Sequence, residues 1–328
     1  MMTQRRLGKA GPEVAALGYG AMVLEGYYGP VAPEAAIMTV HQAVELGMMV
    51  DTADAYGNGH NESLIAQAIQ RTRHRPFIAS KFGIVFDENG QGTEMPTGWG
   101  FNLKIDGSPA YVQKAIDASL KRLGVDCLDL WYLHFPDPAI PIEETVGAMA
   151  LAVKAGKVRH LGLSNVNALQ VWRAHREHRI AAVQYEYSLW RREAELCLLP
   201  TLRELGIALV AWSPLGSGFF CGEVAEPDEN DFRSRNPKFS GEHLNGNRKN
   251  FAPILAMAKK LGVTPAQLSL AWLLHQGLDI IPIPGTRSPE RVVENARAAR
   301  VILDDSIVMR IGELARLGLA QGANLIEA

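Results

Sequence analysis

Eight short runs rich in β-branched and aromatic residues alternate with longer amphipathic segments along the chain, which predicts an α/β fold of the closed (β/α)8 TIM-barrel type. Each return between runs is long enough for a helix, as a parallel sheet requires, and no linker interrupts the 328 residues, so a single domain over 1–328 is expected. The competing architecture is an open doubly wound sheet, which would carry a GxGxxG turn after a strand. Here "GYGAMV" after the first run lacks the third glycine, "GSGFFCG" is out of step, and no Tyr-x-x-x-Lys pair is present. The barrel is the better reading.

The strands are expected, in order, at "ALGYG" (16–20), "MMVD" (48–51), "FIASK" (77–81) and "DLWYLH" (129–134). "VRHLGLS" (158–164), "AAVQYEY" (181–187), "ALVAWS" (208–213) and "DIIPI" (279–283) complete the set. Helix starts stand between them: "SPAY" at Ser108 and "SPER" at Ser288 put serine at the N-cap and proline at the first helical position. "TPAQ" at Thr264 adds a glutamine three residues on, a capping box. Two long loops break the rhythm, 82–107 after the third strand and 214–250 after the seventh. Both follow strand carboxyl ends, the face on which such barrels carry their sites, so both are expected to cover substrate and cofactor.

Composition narrows the function. A chain that is 47% hydrophobic and 21% charged, with net charge −2, offers neither a nucleic acid nor a membrane surface the charge it would need. Neither a signal-peptide core nor a membrane-spanning apolar run is present, and the three cysteines form no CxxC pair. A cytoplasmic protein without disulfides or zinc is expected. "HREH" (His175, His178) has helix-face spacing but no accompanying carboxylate–histidine motif, so no metal site is expected.

Under the barrel reading, polar residues gather at strand carboxyl ends. Asp51 ends the second strand, Tyr56 lies in the turn after it, Lys81 ends the third and His134 the fourth. These types suit proton transfer at neutral pH: a lysine ammonium favours tyrosinate and lowers a phenol pKa, an aspartate holds the lysine, and a histidine can donate to a carbonyl. Asp54 reads as turn structure. Ser164 and Asn165 end the fifth strand, Gln184 lies in the sixth and Trp212 near the end of the seventh, groups that suit a carboxamide and a flat ring such as nicotinamide. Phosphates are expected at "SPLGSGFFCG" (213–222), with Ser213 and Ser217, and at "PGTRSPERVVEN" (284–295), where Gly285, Thr286, Arg287 and Arg291 surround a helix start. Two arginines there suit a 2′-phosphate and so NADPH over NADH.

"DTADAYGNGHNE", "SKFG", "YLHFPDP", "GKVRHLGLSN", "VQYEYSL", "AWSPLGSGFF" and "IPIPGTRSPERVVEN", in this order, resemble the aldo-keto reductase superfamily across essentially the whole chain, most closely its bacterial and potassium-channel β-subunit-like branches. The resemblance implies a barrel that binds NADPH without a Rossmann domain and a tetrad of Asp51, Tyr56, Lys81 and His134, with Tyr56 the general acid. It further implies Ser164, Asn165 and Gln184 at the carboxamide and Trp212 stacked on the nicotinamide. Leu215, Gly216 and Ser217 would lie at the pyrophosphate, and Gly285, Thr286, Arg287, Arg291, Glu294 and Asn295 at the adenosine 2′-phosphate. "PGTR" stands where other branches carry Pro-Lys-Ser, so Arg287 replaces a lysine, and Phe135 stands where a basic residue is common. The implied activity is reversible NADPH-dependent reduction of an aldehyde or ketone, and the substrate is a small carbonyl compound of aldehyde, keto-sugar or pyridoxal-like type. The alternative is an NADPH-sensing regulatory subunit. A homo-oligomer stays open.

Overall fold

The computed structural model describes residues 2–87, 90–222 and 224–326. A hairpin comes first, β1 (Gln4–Arg6) paired antiparallel with β2 (Glu13–Ala15). The barrel then runs β3 (Tyr19–Gly20), α1 (Pro33–Glu45), β4 (Val50–Asp51), α2 (His60–Ile69) and β5 (Ile78–Phe82). A second hairpin, β6 (Thr93–Pro96) and β7 (Asn102–Ile105), precedes α3 (Pro109–Leu123). There follow β8 (Leu128–Leu133), α4 (Ile142–Lys154), β9 (Val158–Ser164), α5 (Ala168–Glu177), β10 (Ile180–Glu186), α6 (Leu198–Leu205) and β11 (Ala208–Trp212). The last elements are α7 (Gly241–Leu261), α8 (Pro265–His275), β12 (Ile280–Pro282), α9 (Pro289–Arg297) and α10 (Asp305–Leu314).

Among the described residues, β3, β4, β5, β8, β9, β10, β11 and β12 form one eight-stranded sheet, each strand parallel to its neighbours. The sheet curls until its edges meet: Gly18 N donates to Pro282 O at 2.9 Å and Gly20 N to Pro284 O at 3.4 Å. The seam needs glycine, because a Cβ on Gly20 would stand 2.8 Å from Ile283 O and one on Gly285 would stand 2.8 Å from Gly20 O. The lumen is packed with alternate strand residues, including Met49, Ala79, Leu130, Val210 and Ile281, and Leu7 and Val14 of the first hairpin close its lower end. The anticipated helix caps are all present. Ser108 accepts from Tyr111 N, Ser288 from Arg291 N, and Thr264 forms the reciprocal box with Gln267.

The two long loops carry more order than their composition suggests. The first contains the β6–β7 hairpin, and the second gives way to α7 at Gly241 rather than near Asn250. Gly, Asn and Lys in 241–250 read as loop, yet Asn247 is buried and donates to Lys238 O at 3.1 Å and to Gln321 O at 3.0 Å. Tertiary partners override weak helix propensity here. Among the described residues, no helix is long and apolar enough to cross a membrane.

Candidate active site

Strand register puts the polar ends at one level. Gly20 pairs with Asp51, Asp51 with Ala79, and Lys81 with Tyr132, so the β4, β5 and β8 ends face one mouth of the barrel. His134 continues β8 by donating its N–H to Phe82 O at 2.8 Å. β5 runs one residue past Lys81, which leaves that side chain inside the barrel rather than on its rim.

The four residues meet. Lys81 Nζ donates to Asp51 Oδ1 at 2.5 Å, to Thr52 O at 2.9 Å and to Tyr56 Oη at 2.9 Å. Three acceptors saturate the ammonium and fix its direction. The other Asp51 oxygen accepts from Gln184 Nε2 at 2.7 Å, so Gln184 is committed to the tetrad through its amide N–H. The Tyr56 and His134 rings meet edge to face at 5.9 Å, and His134 stacks on Phe135 at 5.1 Å.

Burial governs the protonation states. It raises the Tyr56 phenol above its ordinary value; Lys81 pulls the other way and does not overcome it. The sequence expectation that the lysine lowers this pKa is therefore half right: its contribution has the expected sign, but desolvation is larger. Burial works to lower the Lys81 ammonium, yet Asp51 and Tyr56 outweigh it and hold lysine charged. His134 is pushed well below its ordinary value, by burial first and by the Lys81 charge second, so the ring is neutral. Its Nδ1 is buried with no hydrogen-bond partner.

Above the tetrad opens a cavity of ≈ 580 Å³ lined by Asp51, Tyr56, His134, Ser164, Asn165, Gln184 and Trp212. Ser213, Leu215, Ser217, Gly285, Thr286 and Arg287 line its other arm. Gly216, Arg291, Glu294 and Asn295 stand outside that lining: Gly216 backs onto the Trp190 indole, Arg291 pairs with Glu294 at 2.6 Å within α9, and Asn295 is buried. Asn165, Ser213 and Ser217 have φ of 55°, 49° and 52°, left-handed backbone on non-glycine residues. Such angles cost on the order of 1–3 kcal/mol each and cluster where ligands are clamped. Asn165 Nδ2 donates to His134 O and to Ser164 Oγ, both at 3.0 Å, which leaves the Ser164 hydroxyl hydrogen for the cavity. Ser213 Oγ accepts from Ser217 N at 2.9 Å and closes the turn. Arg287 Nη1 donates to Pro30 O at 3.2 Å. Tyr27, Phe86, Trp99, Phe101 and Phe232 make the outer wall apolar, and Leu325 near the end of the chain completes it.

The sequence reading missed Thr52, Glu25, Asn61 and Glu62. Thr52 Oγ1 donates to Asn61 Oδ1 at 2.7 Å and Asn61 Nδ2 to Glu25 Oε1 at 2.8 Å. Fully buried Glu62 accepts from Ser80 Oγ at 2.5 Å and Arg122 Nε at 2.6 Å. Asn61 and Glu62 lie in the first turn of α2, so that helix does more than pack. Adjacent polar residues at a helix start read as a solvated end, and only their three-dimensional partners distinguish them.

The Aldo/keto reductase family model matches residues 16–316. Probable aldo-keto reductase 1 of Glycine max is 41% identical over 323 residues, 97% of this chain and 90% of that one. A thermostable aldo-keto reductase, Tm1743, solved in complex with the inhibitor epalrestat, superposes with a TM-score of 0.73 at 28% identity, over 95% of this chain and 100% of that chain. The glycerol dehydrogenase AKR11B4 from Gluconobacter oxydans shares the fold, with a TM-score of 0.83 at 24% identity over 95% of this chain and 94% of that one.

Proposed function

Since the chain belongs to the aldo/keto reductase family, whose members are oxidoreductases acting on carbonyl groups, we propose that it reduces an aldehyde or ketone with NADPH and takes the proton from Tyr56. The observation that carries this reading is the Tyr56 hydroxyl, 2.9 Å from a charged, buried Lys81 and beside a neutral histidine on the cavity floor.

The residues suit the cofactor. Ser164 and Asn165 offer a hydroxyl and an amide at one wall, Trp212 a flat half-buried face, and the 213–217 turn, left-handed at Ser213 and Ser217, lines the arm that would take the pyrophosphate. Arg287 beside the α9 N-terminus supplies charge for a 2′-phosphate. When bound, the nicotinamide supplies the hydride. The protein does the rest. His134, neutral, donates a hydrogen bond to the carbonyl oxygen and sets its position. Tyr56, kept protonated by burial, gives its proton to that oxygen as negative charge develops there, and Lys81 stabilises the phenolate left behind. Asp51 and Gln184 hold Lys81 in line throughout. The aromatic outer wall excludes water and accepts an apolar or planar substrate body.

The test is NADPH oxidation with a panel of aromatic aldehydes, keto-sugars and pyridoxal, run on the wild type and on Tyr56→Phe. Turnover on at least one class, lost by about 10²–10⁴ in the variant, is expected. Undiminished turnover in Tyr56→Phe would remove the tyrosine from the mechanism. Tight cofactor binding with no turnover on any carbonyl would instead mark a cofactor-sensing subunit.

A further inference from the structure

The turn that carries Tyr56 is held in an unusual way. Gly57, Asn58 and Gly59 follow one another in the left-handed region, at φ 57°, 50° and 88°. Glycine accepts such angles and asparagine tolerates them, but neither holds a chain there. The hold comes from below. Glu25, at the end of the 3-10 turn Ala21–Glu25, lies directly under Gly57, and a methyl group on Gly57 would overlap its carboxylate. That carboxylate is itself fixed, with its side chain 8% exposed: Asn61 Nδ2 donates to Oε1 at 2.8 Å, and His60 Nδ1 stands 2.9 Å from Oε2. Asn61 accepts from Thr52 Oγ1, and the Thr52 carbonyl accepts from Lys81 Nζ. A continuous chain of polar contacts thus runs from His60 at the surface to the ammonium that donates to Tyr56.

The other end of the turn is backed as closely. A Cβ on Gly59 would stand 2.7 Å from Arg122 Cδ, and Arg122 is anchored on buried Glu62. Glu62 in turn accepts from Ser80, the neighbour of Lys81 in β5. Both supports of the turn are therefore hydrogen-bonded toward the strands that carry Asp51 and Lys81, Glu25 through Asn61 to Thr52 after β4, and Glu62 directly to Ser80 in β5.

We infer that Glu25 is a positioning residue for proton transfer: it clasps the Gly57 side of the turn, with Arg122 and Glu62 at the Gly59 side, and so keeps the Tyr56 hydroxyl within reach of Lys81 and the substrate oxygen. The inference rests on the reading of Tyr56 as proton donor. Glu25 hydrogen-bonds to none of the four tetrad side chains, so its removal leaves the chemical groups intact and loosens only their geometry.

The test compares wild type, Glu25→Ala, Glu25→Gln and Tyr56→Phe in NADPH-dependent reduction of the best aldehyde, in H2O and D2O. Glu25→Ala is expected to lower kcat by about 10- to 100-fold, the scale of a small misplacement of a reacting group, with KM for NADPH and aldehyde within about two-fold. The solvent deuterium effect on kcat should rise, because the proton step becomes limiting. Glu25→Gln still fills the space under Gly57 and still accepts from Asn61, so it should recover most of the loss. His60→Ala, an exposed change at the same carboxylate, should shift kcat and the D2O effect in the same direction by less. Unchanged kcat in Glu25→Ala, with Tyr56→Phe inactive, overturns the clasp while the donor assignment stands. A loss that Glu25→Gln does not restore and that leaves the D2O effect unaltered also overturns it. Wild-type turnover in Tyr56→Phe overturns the donor reading itself.

Discussion

Lys81 shows how much one buried charge can organise. Its side chain is 1% exposed, and burial of that kind is tolerated only because Asp51 neutralises the ammonium at 2.5 Å and two further oxygens accept its remaining protons. Lys81→Met strands the Asp51 carboxylate in the interior. It should cost about 3–5 kcal/mol of stability by chemical denaturation and lower turnover by about 10²–10⁴; a variant as stable and active as wild type would contradict the ion-pair account. The neighbouring titrations have opposite signs. Tyr56 sits above its ordinary value of 10.0 because burial outweighs the pull of Lys81; with Tyr56 as the proposed proton donor, the rate should hold through neutral pH and fall only as pH rises past 10.0. His134 sits well below 6.5, so stability is fully present above 6.5 and is lost as pH falls below it, where the unfolded chain takes up a proton the folded ring refuses. A loss of about 1.4 kcal/mol per pH unit at most is expected from this ring, and His134→Gln should flatten the acid side of a stability–pH curve accordingly. The tetrad was legible in the sequence because Asp, Lys and His at strand ends are poor core choices. Glu25, Asn61 and Glu62 were not, because acids and amides at helix ends are ordinary surface residues until their partners are seen.

At the scale of elements, the legible parts were those with strong local chemistry. Serine or threonine followed by proline fixed three helix starts, and β-branched runs fixed all eight barrel strands to within a few residues. The second half of 214–250 was not legible, since α7 depends on Asn247 reaching Lys238 and Gln321, contacts with no local signal. The β1–β2 and β6–β7 hairpins escaped for a related reason: three- and four-residue strands are too short to show alternation. The 213–217 turn makes a sharp prediction. Gly216 has φ 56° and a Cβ there would stand 2.8 Å from Trp190 Cε2, so Gly216→Ala should destabilise by about 1–3 kcal/mol and weaken cofactor binding. Wild-type melting and affinity would show the turn to be dispensable. On α9, Arg287 lines the cavity while Arg291 is paired with Glu294 outside it. Titration of NADPH fluorescence should therefore show a larger affinity loss in Arg287→Ala than in Arg291→Ala, with NADH little affected by either; the reverse order would move the phosphate site.

The whole molecule works by closing a barrel below and a wall above. The Gly18–Pro282 and Gly20–Pro284 hydrogen bonds fix the spacing of the first and last strands, and with it the level at which all the strand ends meet. The upper wall is finished by the end of the chain, which returns across the mouth. Lys238 Nζ donates to Gly322 O at 3.2 Å and Ala323 O at 3.0 Å, Arg191 Nη2 to Ile326 O at 2.8 Å, and Gly98 N to Leu325 O at 2.9 Å. Removing residues 324–328, which keeps Gln321 for Asn247, should raise KM for the carbonyl while leaving NADPH affinity near its starting value, because Leu325 lines the outer wall and not the arm formed by 213–217 and 285–287. An equal loss in both would show that the tail supports the barrel rather than the substrate. The claim beneath all of these is that one cavity joins hydride from NADPH to a proton from Tyr56. A single turnover with NADPH deuterated at the transferable C4 position tests it most directly. The account predicts an alcohol carrying one deuterium on its carbinol carbon, formed by the wild type and not by Tyr56→Phe; an unlabelled alcohol, or labelled alcohol formed equally fast by the variant, would contradict it.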